Sequence, residues 1–102
     1  MNLSDKARAL GFDETEFREI LELFIETSLA DLQKLQDAVA RRKPELAAAA
    51  SHSIKGAARG FGFEELSRKL EAIEMMARQN ALEHNGEMLT EVQVEIDEIR
   101  EA

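Results

Sequence analysis

The sequence predicts an all-α protein, a single four-helix bundle that occupies residues 1–102. Three observations support this fold class. No stretch alternates apolar and polar residues over the length of a strand. Helix breakers are few, with one Pro and five Gly in 102 residues. Apolar residues recur every three or four positions, which is the spacing of a helix that buries one face, and a chain of this length has room for one domain.

A short extra helix is expected over residues 3–10, ahead of the bundle. The first long helix begins after Asp13, which can cap the free amides of the first turn while Glu16 completes a capping box. It runs to about Arg42, and its apolar side chains form one stripe. That stripe, with its two edge residues last, is Phe17, Leu21, Phe24, Ser28, Leu32, Leu35, Val39, Ile20 and Ile25.

Pro44 suits the first turn of the second long helix, because the amide hydrogen that it lacks would be unpaired there anyway. This helix runs to about Gly60, and residues 61–63 form a tight connection. A third helix and, after a break at residues 85–86, a fourth helix follow. Their apolar series are Leu66, Leu70, Ile73 and Ala77, then Leu89, Val92, Ile96 and Ile99. Because the connections are short, we expect an antiparallel up-down-up-down order, with helices crossing at about 20°.

Composition excludes several classes of protein. The net charge of −8 disfavours general binding to nucleic acid, which needs basic side chains against phosphates. The lack of Cys excludes disulfides, thiolate metal sites and a cysteine nucleophile, and it favours a reducing compartment. The longest apolar run, residues 46–50, is too short to cross a bilayer, and the first residues lack the apolar stretch of a secretion signal. We therefore expect a soluble, cytoplasmic protein.

The second long helix carries the residues of greatest chemical interest. With Leu46 set at 0°, the arc from about 340° to 80° holds the side that we expect to be buried. That arc contains Ser53, Ala57, Ala50, Phe61 and Ile54. The opposite side contains Lys55, Ala48, Arg59 and His52. His52 is therefore expected to point at solvent, beside two basic residues.

Small residues surround His52 on this helix. Ala48 and Ala49 lie about one turn before it, and Gly56 lies one turn after it. A Gly within a helix costs about 1 kcal/mol relative to Ala. The position of Gly56 near the histidine face favours close approach of a partner, with close helix packing or proximity to the helix end as alternatives. Residues 41–59 carry five basic side chains and one acidic, so they form a basic segment in an acidic protein.

The stretch SHSIKGAARGFGFEELSRKLEAIE resembles the signature of histidine-containing phosphotransfer (HPt) domains. That signature has a His, two residues, Lys-Gly, two small residues, an apolar-Gly turn and a leucine-bearing helix. The matching positions are His52, Lys55, Gly56, Ala57, Ala58, Phe61, Gly62, Leu66 and Leu70. The upstream stretch FREILELFIETSLADLQKLQDAV is similar to the first long helix of the family, so the resemblance covers residues 12–101. The fold of that family is the four-helix bundle that the periodicity predicts.

The resemblance implies a relay protein of two-component signalling. His52 would take a phosphoryl group from the aspartyl phosphate of a response-regulator receiver domain and pass it to another receiver, and a hybrid sensor kinase is a further expected partner. Lys55 would stabilise charge on the phosphoryl oxygens, with Arg59 assisting more remotely. The residues expected to let the loops of the receiver come close are Gly56, Ala48 and Ala49.

The resemblance also implies that the chain needs no cofactor of its own, because the acidic pocket of the receiver carries the Mg²⁺. Complementary charge would draw that pocket to the basic segment. A neutral imidazole is a competent nucleophile, because the ordinary pKa of histidine lies just below neutrality. We expect a monomer, and Met1 together with the compact length favours a free-standing protein over a domain of a larger sensor kinase.

Leu23 lies about 140° from the core stripe of the first long helix. An exposed Leu there is either part of an apolar docking patch for the receiver or one of the scattered surface leucines that folded proteins carry.

Other functions make different demands on the sequence. A dinuclear metal enzyme on this fold needs Glu-x-x-His pairs that project inward, and neither His52 nor His84 has a Glu three residues before it. An autonomous histidine kinase needs an ATP-binding domain and a glycine-rich loop, for which the chain has neither length nor sequence. A helical adaptor that binds a protein without phosphotransfer remains the alternative function. His84 is most simply a loop histidine.

Overall fold

The computed structural model describes residues 2–102, apart from the side chain of His84. The chain forms five α-helices, and no strand occurs within these residues, so the predicted all-helical class is confirmed. The helices are α1 (Leu3–Leu10), α2 (Glu14–Ala40), α3 (Pro44–Gly60), α4 (Glu64–Arg78) and α5 (Gly86–Glu101), with a short 3₁₀ turn at Leu82–His84 before α5.

Helix ends follow the predicted signals closely. Asp13 accepts from the backbone N–H of Glu16 at 2.8 Å, and the Glu16 side chain accepts in return from the Asp13 N–H, which completes the capping box of α2. Pro44 occupies the first turn of α3. The helix α2 ends at Ala40, before the predicted Arg42. Arg42 instead has a φ of 54° and turns the chain toward Pro44, a left-handed conformation that commonly closes a helix.

Gly62 closes α3 in the same way. Its φ is 76°, a value that favours Gly because a Cβ is disfavoured there. The Phe63 N–H donates to the carbonyl of Ala58 at 2.9 Å across this turn. Phe61 and Phe63 stack with their ring centroids 5.9 Å apart, and Phe24 contacts both rings. The turn is therefore fixed by backbone geometry and by apolar packing together.

The core lies between the four long helices. The buried residues of α2 are Phe17, Leu21, Phe24, Ile25, Ser28, Leu32, Leu35 and Ala38. The α4 series Leu66, Leu70, Ile73 and Ala77 is buried as predicted, and Val92 and Ile96 bury the inner face of α5. Ile20, Val39, Leu89 and Ile99 are partly buried at the edges of the core. Helical periodicity therefore predicted the inward faces of three of the four long helices.

Side-chain contacts join each helix to the next along the chain. Ser53 of α3 donates to Asp31 of α2 at 2.8 Å, and Lys69 of α4 pairs with Glu95 of α5. In both pairs the two residues lie about equally far from the connection between their helices, as expected when two helices fold back along each other. The complete up-down-up-down order remains a prediction. Among the described residues, no helix has both the length and the apolar character needed to span a bilayer.

The face of α3 that packs inward differs from the prediction. Its buried residues are Ala47, Ala48, Ala50, Ser51, Ile54 and Ala58. Leu46 and Ser53, which were expected on the buried side, are exposed. The helix is thus rotated about its axis by about 80° from the predicted orientation. The reason is that α3 is rich in alanine, so its two sides differ too little in apolarity for a helical wheel to separate them.

Candidate functional site

His52 stands near the middle of α3, and its side chain is 67% exposed. The prediction that this imidazole points at solvent is confirmed. One of its two ring nitrogens, Nδ1, lies 3.2 Å from Oε2 of Glu74 on α4. The second nitrogen, Nε2, is on the other side of the ring, so the side chain is held at one nitrogen and open at the other.

Lys55 lies one turn after His52 and faces α4. Its side chain is only 13% exposed, and Nζ lies 2.8 Å from Oε1 of Glu74. The expectation that Lys55 lies on the exposed side of α3 together with His52 is therefore wrong. The rotation of α3 explains the difference, because it turns this side of the helix into the groove against α4.

Glu74 is the residue that joins the site together, and it is not among the site residues that the sequence predicted. Its side chain is 7% exposed and contacts His52, Lys55 and Arg78 at once. Arg78 donates to Oε2 from Nε at 3.2 Å and from Nη2 at 2.8 Å. Burial raises the pKa of Glu74, but the bonds from Lys55 and Arg78 outweigh it and hold that pKa at about 2. Glu74 is therefore ionised at neutral pH.

A signal for Glu74 exists in the sequence. Glu74 follows Ile73 directly and precedes Arg78 by four residues, so it lies at the edge of the α4 core stripe with a basic partner one turn on. Edge positions of a bundle become covered when the neighbouring helix packs against them. Which residues of α3 cover Glu74, however, depends on which side of α3 faces α4, and the alanine-rich sequence does not reveal that side.

The ionised Glu74 favours one tautomer of His52. A carboxylate only accepts hydrogen bonds, so a neutral imidazole facing it carries its proton on Nδ1. The lone pair then belongs to Nε2, which the Glu74 contact leaves open. A carboxylate in this position also stabilises positive charge that appears on the ring when Nε2 forms a bond. The arrangement is that of an oriented nucleophile with basic groups beside it.

Gly56, Ala49 and Arg59 are exposed as expected, whereas Ala48 is buried. Ala48 was expected to help a partner approach, and its burial against the bundle removes it from that surface. A Cβ built on Gly56 would meet no atom within 4 Å outside its own helix backbone. Packing within the chain therefore does not require a Gly at this position, and the alternative of close helix packing is wrong.

Leu23 lies on α2 and is 63% exposed, which agrees with its predicted position away from the core. The side chain of His84, expected to be a loop histidine, lies outside the described residues. Its backbone belongs to the 3₁₀ turn Leu82–His84. Among the residues that the structure describes, no group of three or more His, Cys, Asp and Glu side chains is arranged to hold a metal ion.

Comparison with known proteins gives one result that covers most of the chain. The family model for the Hpt domain matches residues 19–102. No curated protein and no solved structure is similar enough to count as a match. The matched region includes α3, α4 and α5 whole and most of α2, and therefore every side chain of the site around His52.

Proposed function

Because the chain belongs to the Hpt domain family, we propose that it relays a phosphoryl group between aspartates of receiver domains through a phosphohistidine at His52. Hpt domains take part in histidine phosphotransfer in two-component signalling. The observation that carries the proposal is the orientation of the His52 ring, with Nδ1 against the Glu74 carboxylate at 3.2 Å and the rest of the side chain exposed. Nε2 is thus the nucleophile.

The transfer takes place in two half-reactions. In the first, the lone pair of Nε2 attacks the phosphorus of the aspartyl phosphate of the receiver. An N–P bond forms, the O–P bond breaks, and the carboxylate leaves with its electron pair. In the second, the aspartate of the next receiver attacks the same phosphorus, and the electron pair of the N–P bond returns to Nε2. Nδ1 keeps its proton throughout, so no separate general base is needed.

Three groups of this chain support the step. Glu74 faces Nδ1 and stabilises the positive charge that the ring gains when the N–P bond forms. Lys55 is anchored by Glu74, and because an ammonium has three N–H donors, one or two remain for the phosphoryl oxygens. Arg59 is exposed two turns after His52 and contributes field at longer range.

The receiver supplies the remaining chemistry. Its acidic pocket would bring the Mg²⁺ that neutralises the phosphoryl oxygens, and this chain would contribute no cofactor. Positioning and charge stabilisation account for most of the catalysis of phosphoryl transfer. The expected partners are response-regulator receivers and a hybrid sensor kinase, and the chain would act as a monomer.

The test is transfer of label to His52. Purified receiver domains from the source organism are phosphorylated with labelled acetyl phosphate, and each is mixed with wild type, His52→Gln and His84→Gln. We expect label on wild type and on His84→Gln, and none on His52→Gln, with unchanged helicity in all three. Label on His52→Gln would overturn His52 as the acceptor. No label on wild type from any receiver would overturn phosphotransfer and favour the adaptor function.

A further inference from the structure

A small pocket lies between α3 and α4, next to the turn that joins the two helices, and has a volume of about 350 Å³. The residues that line it are Arg59, Gly62, Glu64, Ser67 and Arg68. Only Arg59 among them has a part in the proposed phosphotransfer. We propose that this pocket binds a phosphate group, either free orthophosphate or the phosphate of a small molecule, and that it is separate from the site of transfer at His52.

The pocket lies two helical turns from the level of His52, toward the turn between α3 and α4. Arg59 follows His52 by seven positions on α3, and Ser67 precedes Glu74 by seven positions on α4. Because seven positions make about two turns, Arg59 shares a side of α3 with His52, and Ser67 shares a side of α4 with Glu74. The two levels are about 10 Å apart along the helix axes. A phosphate in the pocket is therefore too far from the imidazole to exchange a phosphoryl group with it.

Ser67 provides the observation that points to a ligand. It is only 6% exposed, and it lines the pocket. Its hydroxyl forms no hydrogen bond with any residue that the structure describes. A nearly buried hydroxyl without a partner is unfavourable, because it has lost most of its contact with water and has gained no bond in return. An oxyanion in the pocket would accept a hydrogen bond from this hydroxyl and remove that cost.

The first turn of α4 adds backbone donors beside Ser67. The N-cap residue is Phe63, and no side chain caps this helix. The first backbone bond of the helix is donated by the Ser67 N–H to the Phe63 carbonyl, at 3.0 Å. The amides of Glu64 and Glu65 precede that bond, and such amides stay unpaired unless a cap accepts from them. Open amides and the positive end of the helix dipole both favour an anion at this place.

Arg59 and Arg68 supply positive charge to the pocket. Both residues are exposed, and neither forms an ion pair with a residue that the structure describes. A guanidinium that is free of a carboxylate keeps its planar set of N–H donors, which can bind a phosphate through two parallel hydrogen bonds. The two arginines project from different helices, so an anion between them would be held from two sides.

Glu64 is the one acidic residue among the described residues that line the pocket. Its carboxylate opposes an anion, but two arginines against one glutamate leave the lining with a net positive charge. Phosphate carries up to two negative charges at neutral pH and has several acceptor oxygens, which match the guanidiniums, the Ser67 hydroxyl and the open amides together. The ligand that fits the pocket is thus a phosphate group, not a neutral molecule or a cation.

The test is a titration of the isotope-labelled chain with orthophosphate at neutral pH and constant ionic strength, followed by NMR. We expect the amide signals of Glu64 and Glu65 to shift and to saturate, and equivalent chloride to leave them unchanged. Arg59→Gln and Arg68→Gln should each raise the dissociation constant by about fivefold or more, because each removes charge-assisted bonds. Glu64→Gln should lower it by about twofold, because it removes an opposing charge.

Two control variants separate the pocket from general charge and from the transfer site. Arg41→Gln makes the same change of charge near the other end of α3, and His52→Gln removes the imidazole. Both should bind phosphate within about twofold of wild type. Ser67→Ala, checked for folding by circular dichroism, should weaken binding by about threefold or more, because the ligand loses the hydroxyl.

The inference is overturned if phosphate produces no saturable shift, if Arg41→Gln weakens binding as much as Arg59→Gln does, or if His52→Gln abolishes it. A parallel titration with glycerol 3-phosphate distinguishes the source of the phosphate group. Tighter binding of the ester assigns the pocket to a phosphorylated small molecule, and equal or weaker binding assigns it to free orthophosphate. The titration needs no receiver, so its failure leaves the proposed phosphotransfer intact, and failed phosphotransfer leaves the pocket intact.

Discussion

Glu74 is the residue on which the geometry of the site depends. It is a nearly buried carboxylate with His52, Lys55 and Arg78 around it. A buried ion is stabilising only when its partners replace the water that it has lost. Here three partners do so, and in return the carboxylate holds the His52 ring at Nδ1 and the Lys55 ammonium at Nζ.

The pKa of Glu74 predicts how stability depends on pH. Its pKa of about 2 in the folded protein lies below the ordinary value of 4.5. The ionised carboxylate therefore contributes its full stabilisation at pH values above 4.5. That stabilisation is lost as the pH falls toward the folded pKa. The free energy of unfolding of Glu74→Gln, measured in urea, should be about 2 kcal/mol lower than that of wild type at pH 7. The difference should shrink steadily below pH 4.5.

The matched control is Glu71→Gln, which changes an exposed carboxylate on the same helix. Its unfolding free energy should stay within about 0.5 kcal/mol of wild type at every pH. A Glu74→Gln deficit that is the same at pH 3 and at pH 7 would show that the ionisation of Glu74 does not stabilise the fold.

Lys55 should act on the chemical step, not on association. Lys55→Ala is expected to slow transfer within the assembled complex by roughly tenfold or more, the loss of one charge-assisted hydrogen bond in the transition state. Rapid-quench measurements at saturating receiver check this, and added salt should neither restore nor mimic the loss. Arg59→Ala, which removes an exposed basic residue of the same helix, should change that rate by less than about threefold. A Lys55→Ala rate equal to wild type would remove Lys55 from the transfer step.

At the scale of the helix, α3 separates what the sequence predicts from what it does not. Its ends were predictable because Pro44 and Gly62 impose backbone conformations by themselves. The exposure of His52 was also predictable, and His52, Lys55 and Gly56 form a local motif. The role of His52 as the nucleophile stays a prediction. The rotation of α3 was not predictable, because alanine contributes too little contrast to mark an inner face. Glu74 was missed for the same reason, since its contacts with α3 depend on that rotation.

Gly56 should show stability and function changing in opposite directions. A Cβ meets open space there, and Gly is the poorest helix former after Pro. Gly56→Ala and Gly56→Gln are therefore expected to raise the unfolding free energy by up to about 1 kcal/mol. Transfer from a receiver should slow slightly for Ala and strongly for Gln, because the larger side chain obstructs the partner. Equal rates for all three chains would mean that no partner approaches this position closely.

At the scale of the whole molecule, charge is separated between two surfaces. Arg41 and Lys43 of the basic segment line a groove between α2 and α3, while α5 carries six acidic residues and one Arg. A net charge of −8 would slow encounter with an acidic partner if it were spread evenly. Its separation lets the molecule attract such a partner on one side and turn the other side away.

The salt dependence of association measures this separation. A triple variant in which Arg41, Arg42 and Lys43 are all replaced by Gln should associate more slowly with a receiver at low ionic strength. The difference from wild type should shrink as the Debye length falls below about 10 Å. Stopped-flow association rates at several salt concentrations give the result. A deficit that is equal at all salt concentrations would show that these residues make short-range contacts instead of setting the long-range field.

The shared carboxylate of Glu74 also governs how this site can change by descent. His52, Lys55 and Arg78 all contact the Glu74 carboxylate, so replacing any of them removes one of its partners. The energetic effects of such replacements are therefore coupled and do not add. The loss of Lys55 is costly while Glu74 is ionised and buried, and it costs less in a lineage that has already lost Glu74. The order in which mutations arrive therefore decides which of them a descendant can tolerate.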